Sequence, residues 1–189
     1  MIQNDNKFLI GKCLVATPDV EDEIFANAVV YVCSHGKDGA MGFVVNRKLK
    51  DFSFTDLAIK LPINPSINLE NMFLYQGGPL EKIRGFVLHS SEYFKPGTLK
   101  IGPEIAVSSS LDVLTDIAYG LGPKNNLIAL GYSGWEPYQL EKEIKYNKWF
   151  VTDASKELLF NTPDDLKWER ALDETGIDFS RYINITGFA

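Results

Sequence analysis

The sequence predicts an α+β fold. Apolar, β-branched runs at 28–34 and 40–46 flank a short glycine-containing stretch, the pattern of a β-hairpin. Helical patterns elsewhere do not alternate strictly with strand patterns, which argues against a doubly wound parallel sheet. Three polar, glycine-punctuated clusters stand where apolar runs end, and a scaffold commonly holds functional groups at such places. They span 34–47, Gln76-Gly77-Gly78-Pro79, and Gly131-Tyr132-Ser133-Gly134-Trp135 followed by Gln139-Leu140-Glu141.

Residues 8–16 read as the first strand. Thr17-Pro18-Asp19 stops it, because proline cannot donate to a central ladder. Residues 21–27 form a polar connection anchored by Phe25. In the hairpin that follows, Asp38-Gly39 supplies the left-handed end of the turn, since glycine takes positive φ without steric cost. Both of its strands are apolar at nearly every position and so belong inside a sheet, buried on both faces. Ser53 and Asp56 have capping-box spacing and open a helix over 54–61. Residues 61–71 carry Pro62 and Pro65 and read as a loop. The stretch 52–71 could form a small appended lobe on an otherwise single domain of 1–189.

Residues 72–76 form a strand ending at Gly77-Gly78-Pro79, with 84–90 as its antiparallel partner and 104–108 as a short strand. Ser109 and Asp112 are a second capping-box pair, opening a helix to about 119 that Gly120, Gly122 and Pro123 end. Residues 126–132 form an apolar strand. After a turn at 133–135, a helix spans 137–146 with Pro137 in its first turn, where the missing donor costs nothing. Residues 149–152 are a strand. The last helix has Thr162 as cap, Pro163 in its first turn, an acidic start at Asp164-Asp165, and Gly176 at its close. Trp168, Ala171, Leu172 and Thr175 line one of its faces.

Composition narrows the function. The 189-residue chain is 45% hydrophobic and carries a formal charge of −6. It can bury a sizeable core. Its charge and scattered lysines give no electrostatic footprint for nucleic acid. Two isolated cysteines, Cys13 and Cys33, and two isolated histidines make no metal-ligand spacing. The cysteines read as buried free thiols of a reducing compartment; neighbouring strands would also allow a disulfide. The polar N-terminus is no signal peptide, and no window reaches the length of a membrane span. The expectation is a soluble cytoplasmic protein without metal or cofactor.

The candidate site residues follow from the clusters. Gly77 and Gly78 could present backbone N–H groups to an anion, or make a tight turn between strands. His35 lies at the hairpin tip, where it is either a general base or an exposed turn histidine. His89, at the end of an apolar strand, reads as a hydrogen-bonded strand-end residue. Asn46 can bond loop backbone. Arg47 can pair with Glu141 or Glu143, or bind an anion. Trp135 is expected to wedge the following helix against the sheet. Gln139 and Glu143 share one face of that helix, and Glu141 has i,i+4 spacing to Lys145. Ser133 is not a nucleophile-elbow serine, because the second glycine comes one residue early and both histidines precede it.

Taken together, several pieces resemble the AlgH/YqgE family of bacterial proteins. They are Asp38-Gly39-Ala40-Met41-Gly42 with Asn46-Arg47, Gly77-Gly78-Pro79, and Arg84-Gly85-Phe86-Val87-Leu88-His89. Gly131-Tyr132-Ser133-Gly134-Trp135, Gln139-Leu140-Glu141 with Glu143, Trp149, Trp168 and Gly176-Ile177-Asp178 complete the set. The resemblance implies a bent, branching β-sheet, mixed but largely antiparallel, flanked by helices in a cytosolic bacterial protein. It brings the label of a transcriptional regulator tied to alginate production, with no activity or cofactor. One departure is Glu136-Pro137-Tyr138-Gln139, where family members usually have glycine at the positions of Pro137 and Tyr138. The sequence thus suggests a binding or regulatory protein with an unknown small ligand or protein partner. The alternative is an enzyme acting on a small anionic metabolite through His35, Arg47 and the Gly77-Gly78 turn.

Overall fold

The computed structural model describes residues 8–177. The elements in chain order are β1 (Lys12–Ala16), β2 (Val29–Gly36), β3 (Gly39–Val44), β4 (Lys48–Ser53), α1 (Phe54–Lys60), β5 (Phe73–Gln76) and β6 (Leu80–Ser90). There follow β7 (Thr98–Lys100), β8 (Ile105–Ser108), α2 (Leu111–Ala118), β9 (Asn126–Trp135), α3 (Gln139–Lys145), β10 (Trp149–Asp153), a π-helical turn at Glu157–Asn161, and α4 (Asp164–Glu174). This is the expected α+β architecture. The strands run in the order β10-β1-β2-β3-β9-β6-β8-β7, with the β4–β5 pair attached to β9.

The sheet branches at β9. Ile128, Ala129 and Leu130 face β5 in parallel on one edge and β6 in antiparallel on the other. Further along, Ser133, Gly134 and Trp135 pair with β3. The expected pairing of the strands at 72–76 and 84–90 therefore does not form, because β9 lies between them. The chain must cross β9 within Gly77-Gly78-Pro79, and it does so with backbone pressed on backbone. A Cβ on Gly77 would stand 2.3 Å from the Gly131 carbonyl oxygen, and one on Gly78 would stand 2.2 Å from the Tyr132 carbonyl carbon. Neither distance is compatible with a side chain.

The remaining differences are local. Gly11, at φ +80°, turns the chain and shortens the first strand to Lys12–Ala16. The hairpin tip is Lys37-Asp38, with Gly36 paired to Gly39 and a bulge between Val32 and Ser34. The capping box at Ser53 and Asp56 forms as expected. At α2, Ser110 is the cap residue and makes no side-chain cap bond, so the Ser109–Asp112 box does not form. Residues 133–135 belong to β9 rather than to a turn. Consequently α3 starts only at Gln139, with Pro137 outside it. At α4 the cap position falls to Pro163, one residue beyond Thr162. Two polar strands, β4 and β7, and the π-helical turn have no strong signal in the sequence.

Alternation along the strands builds cores on both faces of the sheet. Cys13, Val15, Tyr31, Phe43 and Phe86 pack towards Ala171 and Leu172 of α4. Leu14, Ala16, Val30 and Val44 pack on the opposite face with Trp135, Leu140 and Trp149. Phe54 and Ala58 of α1 join Val113 and Ile117 of α2 over Leu74, Val87 and Ile128. The central hairpin is thus buried on both sides, as its continuous apolar runs require. Cys13 and Cys33 are free thiols within the sheet. Burial pushes the Cys13 thiol up to about 12 and raises Cys33 as well.

Candidate functional site

The second and third clusters meet where the chain crosses β9, and there they hold the sheet together. The Gly77 N–H donates to the Leu130 carbonyl, while its own carbonyl accepts from the Val44 N–H and the Ser133 hydroxyl. The Gly77 donor is already used, and both glycines are buried in the crossing. The first cluster joins in at Gly39, where φ is +119° and a Cβ would stand 2.2 Å from the Trp135 carbonyl oxygen.

His35 is a buried β2 residue, not an exposed tip residue. Its Nδ1 accepts the Leu9 N–H at 3.0 Å, so Nε2 carries the proton and faces Glu141 Oε1 at 3.3 Å. Both ring nitrogens are therefore engaged. Through this contact Glu141 Oε1 ties α3 to the hairpin.

Glu143 is the hub beneath α3. Its carboxylate accepts from Trp135 Nε1 at 2.9 Å, Trp149 Nε1 at 2.8 Å and Gln139 Nε2 at 2.9 Å. Burial pushes this carboxyl upward, but the three donors and Lys148 together hold it below the ordinary glutamate range. A group with a depressed folded-state pKa stabilises the fold above its unfolded pKa and loses that contribution as pH falls through the folded value. Wild type is therefore expected to lose denaturation midpoint on acidification below about pH 4.5 more steeply than Glu143→Gln. Urea titrations at stepped pH check this, and parallel slopes would refute it.

The departure from the family's glycine at Tyr138 has a geometric consequence. Tyr138, the cap residue, sits at φ +63° and ψ 2° with its side chain 66% exposed. The left-handed conformation costs a non-glycine residue about 1–2 kcal/mol, of which added unfolded-state entropy for glycine returns part. Tyr138→Gly is expected to raise stability by about 0.5–1 kcal/mol. An unchanged or lower urea midpoint would contradict it.

His89 lies at 0% exposure. Its Nδ1–H donates to the Ser90 carbonyl at 2.9 Å, leaving Nε2 to accept from the Ser108 hydroxyl at 2.9 Å. Ser108 in turn contacts the Thr98 hydroxyl at 2.8 Å. Burial keeps the imidazole neutral by lowering its pKa. The chain of hydroxyls fastens β7 and β8 to β6, consistent with a strand-end histidine held by hydrogen bonds.

Arg47 differs from all of these. It pairs with neither Glu141 nor Glu143 and lies instead beside the loop at Ala26-Asn27. There its Nη2 donates to the Ala26 carbonyl at 2.7 Å, and its shielded Nε–H has no partner. Among the described residues no carboxylate forms an ion pair with it. Neighbouring Asn46 is spent on backbone, accepting the Val29 N–H and donating to the Asn27 carbonyl.

Asn46 and Arg47 line a groove of about 870 Å³ between the start of β4 and the start of α4. Lys48, Lys50, Asp164, Asp165, Trp168 and Glu169 also line it. Behind the wall, Lys167 is buried, with its ammonium donating to the Val45 and Leu159 carbonyls and to Asp164. Asp164 serves Lys48 at 2.9 Å, Lys167 at 3.0 Å and the Tyr75 hydroxyl at 3.1 Å. Burial lowers the Lys167 pKa against the pull of Asp164. The Asp164 carboxyl is raised by burial yet held below its ordinary range by Lys48 and Lys167. Sequence reasoning reached Asn46 and Arg47 but not Lys167 or Lys48. The one local signal was the i,i+3 spacing of Asp164 and Lys167 on an otherwise apolar helix face.

The described residues contain no group of three or more side chains able to hold a metal, and no helix long and apolar enough to cross a membrane. Comparison with known proteins identifies relatives along nearly the whole chain. A UPF0301 protein of Nitrobacter hamburgensis is 44% identical over 193 residues, covering 98% of this chain and 89% of its own. Another from Rhodospirillum rubrum is 42% identical, covering 94% and 93%. The solution structure of the AlgH protein from Pseudomonas aeruginosa superposes over the full length of both chains, with TM-score 0.78 and 37% identity. A crystallised protein of Corynebacterium diphtheriae, 20% identical over 90% of this chain and 87% of its own, has TM-score 0.70 and shares the fold. A family model described as AlgH-like matches residues 13–180, and the chain belongs to that family.

Proposed function

We propose that this protein is a cytosolic binding or regulatory protein that captures an anionic ligand in the groove beside Arg47 and catalyses no reaction on it. The carrying observation is the half-buried Arg47 guanidinium, which among the described residues has one main-chain carbonyl as hydrogen-bond partner and no carboxylate. A charge removed from water without a counterion is costly, and a ligand anion would supply what the fold does not. The other candidate groups argue for binding over chemistry, because His35, Glu141, Gln139 and Glu143 are already joined to one another or to backbone. The enzyme alternative needs His35, Arg47 and Gly77-Gly78 together. Gly77 bonds Val44 at one end of β3, while His35 pairs with Ala40 near the other, about 13 Å away along the strand. Two buried free thiols suit a reducing cytosol.

The test is NMR titration with a metabolite extract. Amide shifts should cluster at 46–50 and 163–169, vanish in Arg47→Gln, and leave the recovered ligand chemically unchanged. Shifts centred on His35, or a ligand recovered in altered form, would overturn the reading. A regulatory role would run through the ligand and not through direct DNA contact. Fluorescence anisotropy with random duplex at physiological salt is accordingly expected to show no submicromolar binding.

A further inference from the structure

Strand β6 has an open edge. On one side it pairs with β9 from His89 back to Gly85, and once more at Leu80. On the other side its ladder with β8 covers only Ser90 to Val87, the last opposite Ser108. β8 ends there, and Ser109 and Ser110 lead the chain into α2. Residues 82–86 therefore have no strand beside them on that edge among the described residues. Ile83 stands 97% exposed in the middle of this stretch. An unpaired strand edge is a template for another extended chain. An apolar pocket lies on each face of it, and Ser109 borders both. Alternation sends Ile83 and Gly85 to the first pocket, which Leu57, Leu61, Leu111 and Leu114 of α1, its end and α2 also line. It sends Arg84 and Phe86 to the second, lined further by Met41, Phe43, Leu99 and Val107. The pockets hold about 190 and 250 Å³. Both are smaller than the roughly 300–1,000 Å³ of a small-molecule site, and they suit single side chains. They share no lining residue with the Arg47 groove.

We infer that β6 binds an extended peptide segment of a partner protein, which adds a strand beside residues 82–86. Main-chain hydrogen bonds supply the affinity. Consecutive apolar side chains, falling alternately into the two pockets, supply the specificity. A helix would use neither the open backbone nor both faces. A second copy of the same edge fits poorly. Opposite residues of antiparallel strands share a face, so a self-pair centred on this stretch brings the cations Lys82 and Arg84 against their own copies, which is destabilising. Glu81 pairs with Arg84 at 3.1 Å, leaving Lys82 with no ion pair among the described residues. The favoured segment thus carries a carboxylate beside its apolar run.

The probe is a blocked eight-residue peptide with a central valine-leucine-valine-leucine run and an aspartate at each end. NMR titration of the full chain is expected to show saturable binding, with amide shifts at 82–86 and around Leu99 and Leu111. Leu99→Asn and Leu111→Asn are changes at exposed positions, one at each pocket, and each should weaken binding about tenfold. A peptide alternating leucine with serine fills one pocket only and should bind about tenfold more weakly. N-methylation of every amide in the apolar run removes its donors and should abolish binding. Lysine in place of both aspartates should weaken it severalfold. No saturation at millimolar peptide, shifts centred elsewhere, or undiminished binding of the N-methylated peptide would overturn strand addition. Equal affinity of the lysine peptide would discard the carboxylate. Self-association of the protein alone, with residues 82–86 protected from hydrogen exchange, would give the edge to a second copy and end the inference.

Discussion

Gly78→Ala is expected to cost on the order of 4 kcal/mol or more, a loss reserved for a few mechanisms of severe strain. The single added methyl would fall 2.2 Å from the Tyr132 carbonyl carbon, 2.3 Å from its oxygen and 2.4 Å from the Ser133 nitrogen. All three are main-chain atoms of β9, the strand that every branch of the sheet shares, so no rotamer change relieves the clash. The crossing would have to lift away. That would break the bonds from Val44 and Ser133 to the Gly77 carbonyl. Gly97→Ala is the control for a glycine without close neighbours, although its φ of +88° still carries some strain. Its expected loss is about 1–2 kcal/mol. Chemical denaturation of both variants makes the comparison. A Gly78→Ala protein within 1.5 kcal/mol of wild type would show that the crossing is not closely packed in solution.

The second large effect is expected at Trp135. This residue is 7% exposed at the end of β9, packed with Leu14, Val30, Val44 and Leu140 and edge-on to Trp149 at 6.1 Å. Trp135→Ala removes that packing and deprives Glu143 of one of its three donors, for an expected loss of about 3–5 kcal/mol. Trp135→Phe keeps most of the packing and loses the indole N–H, for about 1–2 kcal/mol. Thermal and urea melts of the pair separate packing from hydrogen bonding. A stable Trp135→Ala protein would instead mark the residue as a ligand contact. The wedge expected from the sequence differs in its position. The tryptophan is a strand residue clamped to α3 through Glu143, not the pivot of a turn.

The sequence by itself determined the α+β class, the central hairpin, the capped helix α1, and α4 with its acidic start and glycine close. These depend on local rules: side-chain periodicity, capping spacing and turn chemistry act within a few residues. It also located the glycine clusters that matter. Only the tertiary structure decided what those clusters do. Gly77 and Gly78 are glycines because β9 runs beneath them, and β9 lies some fifty residues further along the chain. The same holds for the polar groups. His35 and Asp38 are neighbours in sequence, yet the partners of His35 are Leu9 and Glu141. Arg47 pairs with neither of the α3 acids that the sequence reading offered it, while Lys48 meets Asp164 and Lys167 from more than a hundred residues away. Hydrogen bonds and ion pairs are set by distances of a few ångströms between side chains. When the partners come from distant segments, those distances exist only once the sheet has branched and closed.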